Sequence, residues 1–194
     1  LSDDGMTAYV TLPREGQLLP DEPQKLALAI TGLRLPPAWD RKDNAKADFY
    51  DLKGIVEGML EQTHVPLVRF APAAHSSYHP GMCAEVYAGE TLLGVMGELH
   101  PQVKGQYDFM APPVLAAEFD LQALLQAVTA RYETSGVSTY PPVLEDIALI
   151  VDEDVPADRI ENLIRQTGGK LLAGVRLFDV FRSEQIGAGK KSLA

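Results

Sequence analysis

The chain has 194 residues, enough for one domain or two small ones with a real core. Its 46% hydrophobic and 23% charged residues match ordinary folded domains and exclude a collagen-like repeat, a bare coiled coil or extensive disorder. The net charge of −10 disfavours unspecific binding to a polyanion, while a single cysteine, Cys83, excludes an internal disulfide and fits a reducing, cytoplasmic setting. No apolar run approaches the roughly 20 residues of a membrane span, and no basic segment followed by an apolar one opens the chain, so no membrane partner is expected.

Ala8 to Leu12 and Lys25 to Leu35 read as strands separated by Pro13, Gly16, Pro20 and Pro23, and Pro36 to Lys46 reads as a loop. From Asp48 the period changes. Phe49, Leu52, Val56, Met59 and Leu60 fall on one helical face with Asp48 as the cap. Leu67 to Ala71, Cys83 to Ala88 and Leu92 to Leu99, broken by Pro72, Pro80-Gly81 and Gly89-Glu90, predict an antiparallel meander. Val114 to Phe119 follows as a strand, then a helix from Leu121 to about Ala130. Thr134 to Pro142, with Ser, Gly and paired prolines, marks a domain boundary.

Beyond it the pattern restarts as a strand (Ile147 to Val151), a helix (Pro156 to Gln166) and a strand (Gly174 to Phe181). Ile160, Leu163 and Ile164 form the expected buried stripe of that helix, and Gly168-Gly169 ends it. A further strand begins near Ala194. These pieces do not close a sheet layer, so the second domain is expected to be cut short.

Few residues group into recognisable chemistry. His75, His79 and Cys83, at successive spacings of four, would stack zinc ligands on a helix, with His100 further on, but Pro80-Gly81 breaks such a helix. The alternative is a turn at His79-Pro80-Gly81 with the imidazole bonded to nearby backbone and Cys83 in the core. Asp152, Glu153 and Asp154 could hold magnesium, or form a solvated turn ahead of a helix. Gly187-Ala-Gly-Lys-Lys-Ser192 resembles the end of a phosphate loop but lacks its earlier glycine, and Gly94 and Gly97 build no such loop either.

Charge is uneven along the chain. Residues 1 to 140 carry 10 Lys and Arg against 18 Asp and Glu, whereas Arg176, Arg182, Lys190 and Lys191 outnumber Asp179 and Glu184 in the last stretch. In a strand, Asp179 and Phe181 point the same way. They offer a carboxylate for a base edge and a ring for stacking, with flanking cations Arg182, Lys190 and Lys191 for phosphates.

The runs Asp48-Phe-Tyr-Asp-Leu-Lys-Gly54, His79-Pro-Gly81 and Gly94-Val-Met-Gly-Glu-Leu-His-Pro101 keep family order with Pro141-Pro-Val and Asp146-Ile-Ala-Leu149. With Leu177-Phe-Asp-Val-Phe-Arg182 and Gly189-Lys-Lys-Ser-Leu-Ala194, they resemble the C-terminal region of the bacterial phenylalanyl-tRNA synthetase β-subunit family from about Leu26 onward. The resemblance implies an α+β chain. Residues 1–133 are expected to be part of an antiparallel sheet with helices, of class II aminoacyl-tRNA synthetase-like, non-catalytic fold. A linker at 134–142 then leads to the first half of a ferredoxin-like (βαββαβ) anticodon-binding domain at 143–194.

The resemblance also implies tRNA anticodon-binding positions at Asp179, Phe181 and Ser192, where Phe181 stands in place of a frequent Tyr and keeps the π face without the hydroxyl. The catalytic site with ATP, Mg2+ and phenylalanine is implied to belong to the α subunit of an (αβ)2 heterotetramer that charges tRNA(Phe). The β subunit's own Mg2+ ligands and editing domain are expected upstream of these residues, and no cofactor is expected on this chain. The run ending Glu98-Leu99-His100 has no ATP-binding arginine. Two competing readings are a metal-binding hydrolase using His75, His79 and Cys83, and a pure protein-interaction scaffold.

Overall fold

A computed structural model describes residues 22–40, 42, 44–107, 109, 113–129, 131 and 139–194. The chain divides into two compact units, Leu1–Thr134 and Ser135–Ala194. The strand expected at Ala8 to Leu12, and residues 134–138 of the expected linker, lie outside the described residues.

The first unit runs β1 (Lys25–Thr31), α1 (Phe49–Gln62), β2 (Val68–Pro72), β3 (Tyr78–Ala88), β4 (Thr91–Leu99), α2 (Pro101–Lys104), β5 (Val114–Asp120) and α3 (Leu121–Ala127). The strands form one antiparallel sheet in the order β1-β5-β4-β3-β2. β1 ends at Thr31 rather than Leu35 because Gly32 turns the chain at φ 89°. Beyond it Leu33 makes only an isolated bridge to Lys46.

Helix α1 begins where the cap was expected. Asp48 Oδ1 accepts from the N–H groups of Tyr50 and Asp51 at 2.9 and 3.1 Å, and Asp51 Oδ2 accepts from Asp48 N–H at 2.8 Å, a reciprocal capping box. Arg34 reaches across from the preceding loop to Asp48 Oδ2 at 2.6 Å and Asp51 Oδ2 at 2.9 Å. The Asp48 N–H, and after it the Arg34 guanidinium, hold the Asp51 carboxyl below the ordinary carboxylate range. Leu52, Val56 and Leu60 are fully buried, each contributing roughly 1.5–3 kcal/mol by leaving water. Together with Leu124 of α3 they join Val86, Leu93, Met96, Leu115, Ala117 and Phe119 in one core.

The glycines of β4 serve strand contact. A Cβ on Gly94 would lie 2.2 Å from the Glu118 carbonyl oxygen, and one on Gly97 would lie 2.4 Å from that of Met82. Strand β3 corrects an expectation, since it already begins at Tyr78 and carries His79-Pro80-Gly81 within it. The ladder with β4 slips between Tyr78 and Cys83, and β2 pairs only with Ala84–Ala88. Pro80, which cannot donate to a ladder, therefore sits in a bulge. Helix α3 stops at Ala127, short of Ala130, with Val128 already extended.

The second unit contains β6 (Leu149–Asp152), α4 (Ala157–Thr167), a 3-10 turn Gly169–Leu171, β7 (Val180–Phe181), a second 3-10 turn Glu184–Ile186 and β8 (Lys190–Leu193). Its sheet is antiparallel in the order β6-β8-β7, with β8 central. Pro156 is the N-cap of α4 and Gly168 its C-cap. Two expectations fail here. Leu163 is 57% exposed, so the α4 stripe is carried only by half-buried Ile160 and Ile164. The strand expected from Gly174 shrinks to Val180–Phe181, because β8 is its only neighbour among the described residues. Asp179 extends the pairing by exchanging backbone hydrogen bonds with Ala194 at 3.2 and 3.0 Å.

Candidate nucleic-acid interface

Register decides which residues of the second sheet share a face. Ile150, Ser192 and Phe181 are direct partners across β6, β8 and β7, so their side chains form one row. Asp152 pairs with Lys190 two residues along, and Asp179 lies beside Ala194 at the other end. By alternation all of them point to the same side, whereas Leu149, Val151, Lys191 and Leu193 point to the other. The first side is open: Phe181 is 50% and Ile150 58% exposed. On the second, Leu193 is 4% exposed, with Leu149 and Val151 half-buried. The three residues singled out by resemblance, Asp179, Phe181 and Ser192, are thus gathered on one accessible sheet face.

The polar groups there differ in their commitments. The carboxylate of Asp179 makes no hydrogen bond or ion pair among the described residues. Lys190 Nζ lies 3.6 Å from Asp152 Oδ1, an exposed and easily exchanged pair. Arg182 and Lys191, also expected to meet phosphates, are engaged elsewhere. Arg182 donates from Nε at 2.9 Å and from Nη2 at 2.7 Å to the Glu153 carboxylate, and Lys191 Nζ donates to the Glu153 carbonyl at 2.8 Å. The Arg182 guanidinium, with Lys191 adding charge, holds the Glu153 carboxyl below its usual range. Gly187 and Gly189, at φ 101° and 72°, turn the chain into β8, so a strand follows where a phosphate loop would place a helix.

The metal reading fails on donor chemistry. His75, His79 and His100 each accept through Nδ1 the backbone N–H two residues on, from Ser77, Gly81 and Gln102, all at 3.2 Å. A donor facing Nδ1 leaves the neutral ring protonated at Nε2, so neither nitrogen keeps a free lone pair. Cys83 is buried, and burial followed by Glu85 pushes its thiol up, away from the thiolate a metal needs. Of the acidic run, Asp152 and Glu153 are held by Lys190 and Arg182. Among the described residues no three His, Cys, Asp or Glu side chains could share an ion. His75 and His100 instead line a cleft of about 480 Å³ with Tyr78, whose phenol burial pushes up to about 12.

Sequence reasoning did not find the role of Glu153 or the place of Ile150. For the first no local signal existed, since Glu153 lies 29 positions from Arg182 and 38 from Lys191. The second needed the register.

The open antiparallel sheet in strand–helix–strand–strand order fits one class, the ferredoxin-fold anticodon-binding domain. The model of that family, "Ferredoxin-fold anticodon binding domain", matches residues 138–194. Residues 7–121 match the family described as "Phenylalanyl tRNA synthetase beta chain CLM domain", reaching upstream of the motifs that begin near Leu26. The chain belongs to the phenylalanyl-tRNA synthetase β-chain family.

Its relatives include the phenylalanine–tRNA ligase β subunit of Symbiobacterium thermophilum, 41% identical over 187 residues, covering 96% of this chain and 21% of the relative. That of Bacillus subtilis is 37% identical over 186 residues, 95% and 23% of the two chains. That of Methylococcus capsulatus is 38% identical over 181 residues, 93% and 22%. The chain spans about a fifth of the length of the curated relatives it matches. No helix among the described residues is long and apolar enough to cross a membrane.

Proposed function

We propose that this chain is a non-catalytic part of a cytoplasmic phenylalanine–tRNA ligase, supporting the ATP-dependent charging of tRNA(Phe) by binding the tRNA and scaffolding the α subunit. In this reading residues 1–133 form the synthetase-like scaffold, 134–142 the linker and 143–194 the anticodon-binding domain, within an (αβ)2 assembly. Among the described residues, those of the first unit offer no set of side chains that fits ATP or Mg2+. Glu98-Leu99-His100 carries no arginine, and the described residues assemble no carboxylate cluster.

The observation that carries the reading is the row formed by Phe181 and Ser192, with Asp179 beside it, on the open face of the β6-β8-β7 sheet. The Phe181 ring stacks on an anticodon base, the Asp179 carboxylate accepts from an amino or imino group of a base edge, and the Ser192 hydroxyl adds a hydrogen bond. Lys190, on the same face, exchanges Asp152 for a phosphate.

Stacking is worth about 1–3 kcal/mol per base. In the intact β subunit assembled with its α partner, Phe181→Ala and Asp179→Ala are each expected to weaken tRNA(Phe) binding by that order in a fluorescence titration. Phe181→Tyr is expected to retain it. Unchanged binding in both Ala variants would leave a pure scaffold and overturn the site assignment.

A further inference from the structure

We propose that Glu153 is a positioning residue for the base-binding face, holding Arg182 and Lys191 so that β7 and β8 present Phe181 and Ser192 side by side. The inference rests on the tRNA reading above and assigns Arg182 and Lys191 to the protein rather than to phosphates.

Phe181 needs such a hold. β7 has two residues paired on one side, and the chain before it, from Leu172 to Asp179, forms no regular element. The residue directly after Phe181 is Arg182, and the residue directly before Ser192 is Lys191. Both end on Glu153, in the turn that leaves β6: the guanidinium on its carboxylate, the ammonium on its carbonyl. The Glu153 N–H in turn donates to the Gly189 carbonyl at 2.8 Å, tying down the turn that leads into β8. One residue thereby fastens the segments on either side of the platform.

The forked contact is also the geometry by which arginine grips a phosphate. Arg182 could not do both at once. Lys191 moreover points to the face opposite Ser192. Because the Arg182–Glu153 pair is about half exposed, it adds little to overall stability and acts on the local placement of β7. Losing it lowers the fraction of molecules with Phe181 in place, and the apparent affinity falls by that fraction.

The test uses the intact β subunit with its α partner and tRNA(Phe) carrying 2-aminopurine in the anticodon. Glu153→Ala and Arg182→Ala are each expected to weaken binding about two- to fivefold, the reach of an exposed forked pair. The double variant should bind no more weakly than either single one. Stacking-dependent quenching of 2-aminopurine should fall with both, Glu153→Gln should retain most of the binding, and the slope of log K against log salt should not change.

A slope reduced by about one in Arg182→Ala, or tighter binding in Glu153→Ala, would show Arg182 on a phosphate and overturn the proposal. Unchanged binding and quenching in both variants would do the same. Phe181→Ala separates the two levels. If it has no effect the tRNA reading itself fails, whereas weakened binding there with an indifferent Glu153→Ala removes only the positioning role.

Discussion

In the five-stranded sheet Phe119, Leu93 and Met96 have no exposed surface, and α1 and α3 lay leucines and a valine against them. In the three-stranded sheet Leu193 is the one buried apolar side chain among the described residues, and α4 buries none. The first unit is held by apolar packing. The second rests on a short ladder and glycine turns, with surface ties such as Arg182 to Glu153 acting on local placement. The contrast suits their proposed tasks, because a scaffold gains from hiding its apolar residues while a base-stacking face must leave some of them in water.

The sharpest way to break this comparison is truncation. Phe119→Ala is expected to destabilise the first unit by about 3–5 kcal/mol in urea unfolding, whereas Ile164→Ala, from a half-buried stripe, should cost the second unit less than about 2 kcal/mol. Equal losses would refute the division. Capping provides a smaller contrast. Asp48→Ala removes both hydrogen bonds at the head of a 14-residue helix and should cost about 1 kcal/mol. Ser183, which accepts from Gln185 N–H at 3.0 Å, caps only a three-residue turn, and Ser183→Ala should change the melting of the second unit less.

Acid provides the finest distinction. Asp51 and Glu153 both titrate below the ordinary range, so their contribution is complete above a pH of about 4–5 and fades as pH falls through their lowered values. Asp51→Asn should flatten the acid limb of the first unit only, and Glu153→Gln that of the second. Chemical denaturation followed from about pH 6 to about pH 2 reads both. An unchanged limb in either variant contradicts the assigned cause.

What could be read in advance follows from how local each signal is. Helix α1 was legible because Leu52, Val56 and Leu60 repeat at helical spacing behind an Asp48 cap, and both signals act within a few residues. The start of β3 was not, because Pro80-Gly81 argues for a turn unless a bulge absorbs it, and the bulge exists only through pairing with β4. Leu163 kept helical spacing yet lies exposed, since spacing selects a face of α4 without stating how much of it is covered. At the candidate site, the period of two aligned Asp179 with Phe181. That Ser192 and Ile150 join them depends on register across three strands, and the link from Glu153 to Arg182 spans 29 positions that no local pattern connects.

The place of β1 has a consequence for how the molecule is made. β2, β3, β4 and β5 pair in succession, β3, β4 and β5 each with the strand before it, so they can assemble as the chain lengthens. Among the described strands β1 precedes the others in the chain, yet it pairs with β5, residue Thr31 opposite Val114. On a translating ribosome its hydrogen-bonding edge and its Leu26, Leu28 and Ile30 must wait until Asp120 has emerged. Closure of the first sheet is therefore a late, long-range step in folding, and chaperone protection of the nascent chain matters most in that interval.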